Sequence, residues 1–273
     1  MKYDLIIACG DSFTEGCQEV LGIPIESTWP GLLATKLGIP FVNLAHGGSC
    51  NLDIAMQPLN NASLHDLQKI QTAKNPLILF NFTVMERIPY PSIRAGYIES
   101  CWSILPEHTN QLGVSWLDTP IKEMTVENFV NDDVPSHLSA SMLNQNDNYK
   151  GRKDIDWFVF STTQAIRLCM SWEKLIKGST VRWGFIHMNT GTFGNDLTDY
   201  LLPGGIEHVR IKYPHIDKCY NVEVGMKELQ CLMYDENLEM KDEYIISKQD
   251  IHPNREGIKL FSNWFLNYIN EKI

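Results

Sequence analysis

The segment Tyr3–Cys9, apolar without a break from Leu5 onward, stops at Gly10. A run without polar alternation has no face to offer water, so as a strand it must be covered on both sides. That condition belongs to parallel sheets flanked by helices. A parallel neighbour requires a long crossover, usually a helix, and the following sequence supplies one. Ser27-Thr28-Trp29-Pro30 opens a helix, with a hydroxyl residue to cap it, Pro in its first turn and Gly38 after Leu37 as a stop. Phe41–Leu44 reads as a second strand, closed by Gly47-Gly48. Asn51 to about Ala73 reads as helical with a break near Pro58, and Leu77–Phe82 as a third strand. The chain's 273 residues suffice to bury the core such a sheet demands.

The second half continues the alternation. From Asp154 to Lys177, residues Ile155, Phe158, Val159, Ile166, Cys169, Trp172 and Ile176 fall at helical spacing. Lys174 and Lys177 stand in the last turn, and Gly178 ends the helix. Val181–His187 reads as a strand, Met188–Glu243 as irregular chain with a short helix around Met226–Leu232, and Tyr244–Ile246 as a short last strand. Asn254–Ile273 predicts a terminal helix with Ile258, Phe261, Trp264, Phe265, Tyr268 and Ile269 on one stripe. Pro106–Arg152 differs: seven acidic and three basic residues, six Asn and little periodicity. We read it as an insert or lid at about 106–152 on a single domain spanning 1–273. The expected fold class is α/β, with a three-layer, flavodoxin-like parallel sheet.

Charge narrows the partners. Lys and Arg number 23 against 33 Asp and Glu, a net charge of −10, and no basic cluster occurs. A phosphate-backbone-binding surface needs such a cluster, so nucleic acid is not an expected partner. The longest apolar runs, Leu5–Cys9 and Pro76–Phe80, are far below the roughly 20 residues that span a bilayer. Asp4 interrupts the place where a signal peptide would turn apolar, so the N-terminus reads as that of a cytoplasmic protein. Seven irregularly spaced Cys fit reduced core thiols, and no Cys/His spacing fits zinc. No metal or organic cofactor is expected. Gly204-Gly205 lacks the Lys-Ser/Thr that a phosphate loop requires.

Four segments fall at the carboxyl ends of predicted strands, where open parallel sheets bind ligands. The first is Gly10-Asp11-Ser12-Phe13-Thr14-Glu15-Gly16. Ser12 follows a Gly that permits a tight turn; taken alone it reads as a helix N-cap. A serine hydroxyl needs a base to become a nucleophile, most often a His oriented by a carboxylate. Asp250-Ile251-His252-Pro253-Asn254 offers both, two residues apart, so that on extended chain the two side chains lean the same way. The third, Val42–Asn51, carries Gly47-Gly48, where a main-chain N–H can approach an oxyanion. The fourth, Phe80-Asn81-Phe82-Thr83, puts polar side chains at the same edge.

Together these segments resemble the SGNH (GDSL-type) hydrolase family over about Lys2–Arg87 and Asp154–Ile273. Gly10-Asp11-Ser12 matches the first block, and the resemblance implies Ser12 as nucleophile. Gly48 matches the second-block Gly, whose N–H serves the oxyanion hole together with that of Ser12. His252 before Pro253 matches the base, with Asp250 as its partner. Two departures stand out. Where the family's third block has Gly-x-Asn-Asp, this chain reads Asn81-Phe82-Thr83-Val84, which leaves Thr83 or Asn81 as the third oxyanion donor. Where the family has Asp three residues before His, this chain has Gln249, and Asp250 is two before.

The resemblance implies a serine hydrolase that cleaves acyl esters through an acyl-enzyme. The resemblance allows O-acetylated sugars, short-chain esters, lysophospholipids and thioesters; the acidic, Asn-rich insert suits a sugar more than an anionic lipid headgroup, so a small-molecule or carbohydrate ester is the expected partner. An acyltransferase would differ by using an alcohol acceptor. The alternative of another class is a non-catalytic carbohydrate-binding or virion/surface protein on the same scaffold, which the altered third block favours. Cys9, Cys17 and Cys50 lie near the same edge and read as packing thiols.

Overall fold

In a computed structural model, the structure describes residues 2–83, 87–92, 97–102, 153–186, 215–221, 228–236 and 239–273. The expected insert at 106–152 lies outside the described residues, as do 188–214.

Strand β1 (Leu5–Cys9) is buried at all five positions, as its unbroken apolar run requires. Two short turns follow, α1 (Ser12–Glu15) and α2 (Gln18–Leu21), then α3 (Trp29–Leu37). Thr28 occupies the N-cap of α3, and Gly38 ends it in the left-handed conformation. The Thr28 hydroxyl donates backward to Ile25 O instead of capping. Strand β2 (Phe41–Asn43) leads to α4 (Asn51–Asn60) and α5 (Leu64–Thr72). The break between these helices falls at residues 61–63, beyond Pro58, which α4 contains and buries. There the Asn61 amide donates to Leu44 O, and Ser63 with Asp66 forms a reciprocal capping box that starts α5.

Strand β3 (Pro76–Phe82) is buried throughout. An antiparallel hairpin, β4 (Arg87–Ser92) and β5 (Tyr97–Trp102), follows it and was not anticipated from the sequence. Then come α6 (Lys153–Leu175), β6 (Thr180–Phe185), a second hairpin of β7 (Ile245–Ser247) and β8 (Asp250–Pro253), and α7 (Arg255–Lys272). The short helix expected near 226–232 is a 3-10 turn at Leu229–Met233.

Four strands form one parallel sheet in the order β2-β1-β3-β6. Beyond β6, Cys219 makes a single parallel bridge to Trp183, and the Asn221 amide donates to Phe185 O. This is the 2-1-3-4-5 order of a flavodoxin-like, doubly wound sheet, its fifth place held by one bridge among the described residues. Alternate residues of each strand feed opposite cores. Ile7, Cys9, Ile78 and Phe80 pack with Ile54 and Ala55 of α4, Ile70 of α5 and Ile166 of α6. Ile6, Ala8, Leu77 and Leu79 pack with Trp29 and Leu33 of α3 and Phe261 and Phe265 of α7. Trp29 stacks on Phe265, centroids 4.2 Å apart. Each such fully buried side chain contributes roughly 1.5–3 kcal/mol, so the three layers hold together from both faces.

The last strand differs from its expected place. β7 does not extend the main sheet but pairs antiparallel with β8, Ser247 opposite Asp250, with Lys248 and Gln249 at the tip. The Ser247 hydroxyl accepts the Gln249 and Asp250 N–H groups and so closes this turn.

Candidate active site

β1 delivers the chain to Gly10 at the carboxyl edge. A Cβ there would lie 2.2 Å from Thr14 Oγ1, so only glycine lets α1 fold back this tightly. Asp11 takes the N-cap of α1, its Oδ1 accepting Phe13 N–H at 3.1 Å. Ser12 is therefore not the cap, and its hydroxyl is left for another partner. That partner is His252, whose Nε2 lies 2.8 Å from Ser12 Oγ across 240 residues of sequence.

His252 and Asp250 stand on β8, where the two-residue period of extended chain puts them on one side. His252 Nδ1 lies 2.6 Å from Asp250 Oδ1, and the same oxygen accepts the His252 main-chain N–H at 3.1 Å. This explains the spacing of two: on a strand, a residue three before His252 would face the other way. Burial pushes the Asp250 carboxyl up, but the hydrogen bonds from His252 and its charge outweigh that and hold it below the usual range. An ionised carboxylate only accepts, so Nδ1 carries the imidazole proton and Nε2 of the neutral ring accepts from the Ser12 hydroxyl. Phe13 packs against the imidazole, ring centroids 5.2 Å apart.

The loop after β2 closes the other side. His46 N–H donates to Gly10 O, and Gly47 N–H to Glu15 Oε2 at 2.9 Å. A Cβ on Gly47 would sit 3.7 Å from Ser12 Cβ, so the loop runs directly beside the serine. Gly48 follows with φ of 81°, a left-handed conformation that favours glycine.

Thr83 and Asn81 are placed differently from expectation. Both are fully buried. The Thr83 hydroxyl donates to Asp11 Oδ2 at 2.7 Å. The Asn81 amide donates to Cys9 O at 2.9 Å, and its oxygen accepts from Tyr220. The Thr83 hydroxyl gives its one proton to Asp11 Oδ2, and the Asn81 amide directs its N–H groups to Cys9 O and Leu79 O. The edge thus brings together Ser12, His252, Asp250 and the Gly47-Gly48 loop, with Thr83 and Asn81 as the framework beneath.

Cys17 also borders the site, its Sγ 3.6 Å from Ser12 O. Burial, then the charges of Asp250, Glu15 and Asp11, push its thiol up to about 12. It is a protonated packing group near neutral pH, not a nucleophile.

Sequence reasoning missed Gln57. It is fully buried, its Oε1 accepting Gly10 N–H at 2.8 Å and its Nε2 donating to Gly10 O at 2.7 Å. The available signal was a polar residue three past Ile54 on the buried stripe of α4.

No family model matches the chain, and no curated protein does. Among solved structures, the chain is similar to a protein assigned to the G-D-S-L lipolytic family from Desulfitobacterium hafniense. That likeness has 12% identity, 97% of this chain, 98% of that one and a TM-score of 0.45. It is similar to the lipase Lip_vut3 from a goat rumen metagenome, with 12% identity, 97% of each chain and a TM-score of 0.49. It is also similar to the acetyl xylan esterase Est2A from Butyrivibrio proteoclasticus, with 10% identity, 98% of this chain, 64% of that one and a TM-score of 0.45. These likenesses concern the fold. Among the described residues, no helix is long and apolar enough to cross a membrane.

Proposed function

We propose that the chain is a serine hydrolase of the SGNH/GDSL type, which transfers an acyl group from an ester to water through Ser12. One observation carries the reading: the relay from Ser12 Oγ to His252 Nε2 at 2.8 Å and from His252 Nδ1 to Asp250 Oδ1 at 2.6 Å. In this reaction the Ser12 oxygen attacks the ester carbonyl as His252 takes its proton. Asp250 holds the imidazole tautomer and stabilises the imidazolium. The tetrahedral oxyanion is held by main-chain N–H groups of Ser12 and Gly48. Ser12 is the first residue of α1, where N–H groups lack intrahelical partners. Each such donor lowers the barrier by roughly 3 kcal/mol. His252 then returns the proton to the departing alkoxide, and water, activated by the same imidazole, releases the acid.

For the substrate we propose an acyl ester with an uncharged alcohol part, O-acyl carbohydrates first. The support is the acidic, Asn-rich composition of 106–152 and the net charge of −10, both unfavourable to anionic headgroups.

The test is a fluorophosphonate probe, followed by digestion and mass spectrometry, with a panel of acyl esters run beside it. One adduct per chain, on Ser12, absent from Ser12→Ala, is expected. Folded protein left unlabelled at Ser12 overturns the hydrolase reading. It would favour the non-catalytic binding protein, the reading that the altered third block at Asn81-Phe82-Thr83-Val84 supports.

A further inference from the structure

The ends of β1 and β3 carry main-chain polar groups that the sheet does not use, and α4 covers them with two side-chain amides. Gln57 meets Gly10 as a neighbouring strand would, accepting its N–H at 2.8 Å and donating to its carbonyl at 2.7 Å. The second hydrogen of the same amide reaches Ser49 Oγ at 3.2 Å. One planar group therefore ties the residue two before Ser12 to the residue next to Gly48. Asn51 repeats the device on β3. Its Oδ1 accepts Thr83 N–H at 2.8 Å, and its Nδ2 donates to Thr83 O at 3.3 Å and to Thr162 of α6 at 3.3 Å. Thr83 in turn donates to Asp11 Oδ2, and Asp11 Oδ1 accepts Phe13 N–H. Asn51, Gln57, Ser49, Thr83, Asp11 and Thr162 are all at most 2% exposed.

We propose that Gln57 and Asn51 are positioning residues for the reaction: α4 sets the distance between the Ser12 hydroxyl and the oxyanion loop through these two amide clamps. The inference rests on the serine-hydrolase reading. A buried amide bonded on both sides has no rotational freedom left, since each of its donors and its acceptor is engaged. The His46 N–H also reaches Gly10 O, so the register of Gly10 against Ser49 is set by that main-chain bond and the length of the Gln57 side chain together. Displacement of a reacting group by about 1 Å costs on the order of a hundredfold in rate. Gln57 bonds to Gly10 and Ser49 and not to Ser12, so it acts through the groups that it holds, and its effect is expected in the rate at Ser12.

The experiment is the rate of fluorophosphonate attachment to Ser12, expressed per folded molecule, with melting followed in parallel. Gln57→Leu keeps much of the volume and removes both bonds. We expect its rate to fall roughly tenfold to a hundredfold, with the KM for an ester substrate unchanged. Gln57→Glu adds a readout that loss of packing does not move. A buried carboxyl stays protonated to higher pH than usual, and when protonated it can accept from Gly10 N–H and donate to Gly10 O as Gln57 does. Its rate relative to wild type should therefore rise as pH falls, a ratio in which any pH dependence common to both proteins cancels. Folded Gln57→Leu labelled at the wild-type rate overturns the positioning role. If Gln57→Leu does not fold, a flat Gln57→Glu ratio across pH overturns it instead. Wild type unlabelled at Ser12 fails the hydrolase reading itself and takes the positioning role with it.

Discussion

The two halves of the candidate site are built in opposite ways. The Ser12 half stands at the edge of the parallel sheet, with Asp11, Thr83 and Gln57 fully buried and bonded to one another or to main chain. The His252 half stands on a two-stranded hairpin outside that sheet, and the His252 and Asp250 side chains are 35% and 34% exposed. It is joined to the first half by the Ser12–His252 hydrogen bond and the packing of Phe13 on the imidazole. The difference has a physical reason. A nucleophile must be held against its oxyanion donors within fractions of an ångström, which a packed sheet edge provides. A base must change protonation state during the reaction, and a partly solvated hairpin lets it do so without stranding a charge in the core. Changes to the buried framework of the first half should thus cost stability as well as rate, whereas removing the base on the second should cost rate with little stability.

The largest separation should come from His252→Ala. It removes the base from a half-exposed position, so Ser12 labelling and ester turnover should fall by roughly 10²–10⁴-fold with the melting temperature almost unchanged. Asp250→Ala should lower the rate less, since the base remains but loses its orientation. Stopped-flow labelling together with a thermal melt reads both quantities; a large loss of stability in His252→Ala would erase the contrast between the halves.

Thr83→Val is the mirror experiment. It deletes the hydroxyl that Asp11 Oδ2 accepts from, in a place water does not reach. Removing one hydrogen bond to a buried acceptor costs about 1–3 kcal/mol, so denaturant unfolding should show a lower midpoint. The rate per folded molecule should fall less than in His252→Ala. Intact stability with a collapsed rate would return Thr83 to the oxyanion.

This contrast also marks what could be read from the sequence. β1 and most of β3 are legible because a strand buried on both faces is apolar wherever no buried partner meets a polar side chain, as Leu5–Cys9 and Pro76–Phe80 are. Ser12, Asp250 and His252 are legible as residue types at strand ends, and the structure brings them together. The roles of Thr83, Asn81 and Gln57 are not. Which way a buried polar side chain donates depends on acceptors such as Asp11 Oδ2, Cys9 O and Gly10 O, which sequence separation hides. The hairpin was missed because β7 is three residues long, too short to reveal its period or its partner. Pro58 misled about the helix break because a proline removes one donor, while burial of the surrounding turn keeps α4 intact.

Asn254 tests how the hairpin is held. Its Oδ1 accepts Glu256 and Gly257 N–H at the start of α7, and its Nδ2 donates to Glu243 O and Ile245 O beside β7. Asn254→Ala should cost about 1 kcal/mol as a lost cap, seen as a lower unfolding midpoint. The labelling rate should drop with it, because the same side chain anchors the strand opposite Asp250. A rate that stays at wild type would mean that the β7–β8 pairing, the Ser12–His252 bond and the packing of Phe13 keep His252 in place without it.

The smallest expected effect concerns the stability that Asp250 itself supplies. Its carboxyl is held below the ordinary range in the folded state, against a burial effect that acts the other way. A group with a depressed folded pKa stabilises the fold above its unfolded value, about 3.9 for Asp, and the contribution is lost as pH falls through the folded value. Wild type should therefore melt above Asp250→Ala at neutral pH, and the gap should close below about pH 4. Partial exposure keeps this contribution under about 1 kcal/mol, a shift of no more than about 2–4 °C. Cys17 adds nothing to the profile, since its thiol, pushed up to about 12, is neutral throughout the window. Melts of both proteins from pH 3 to 8 at low and high salt separate the causes. A gap that closes in acid and narrows with salt assigns it to the charge on Asp250, whereas a gap constant across pH assigns it to the lost packing and hydrogen bonds of the hairpin.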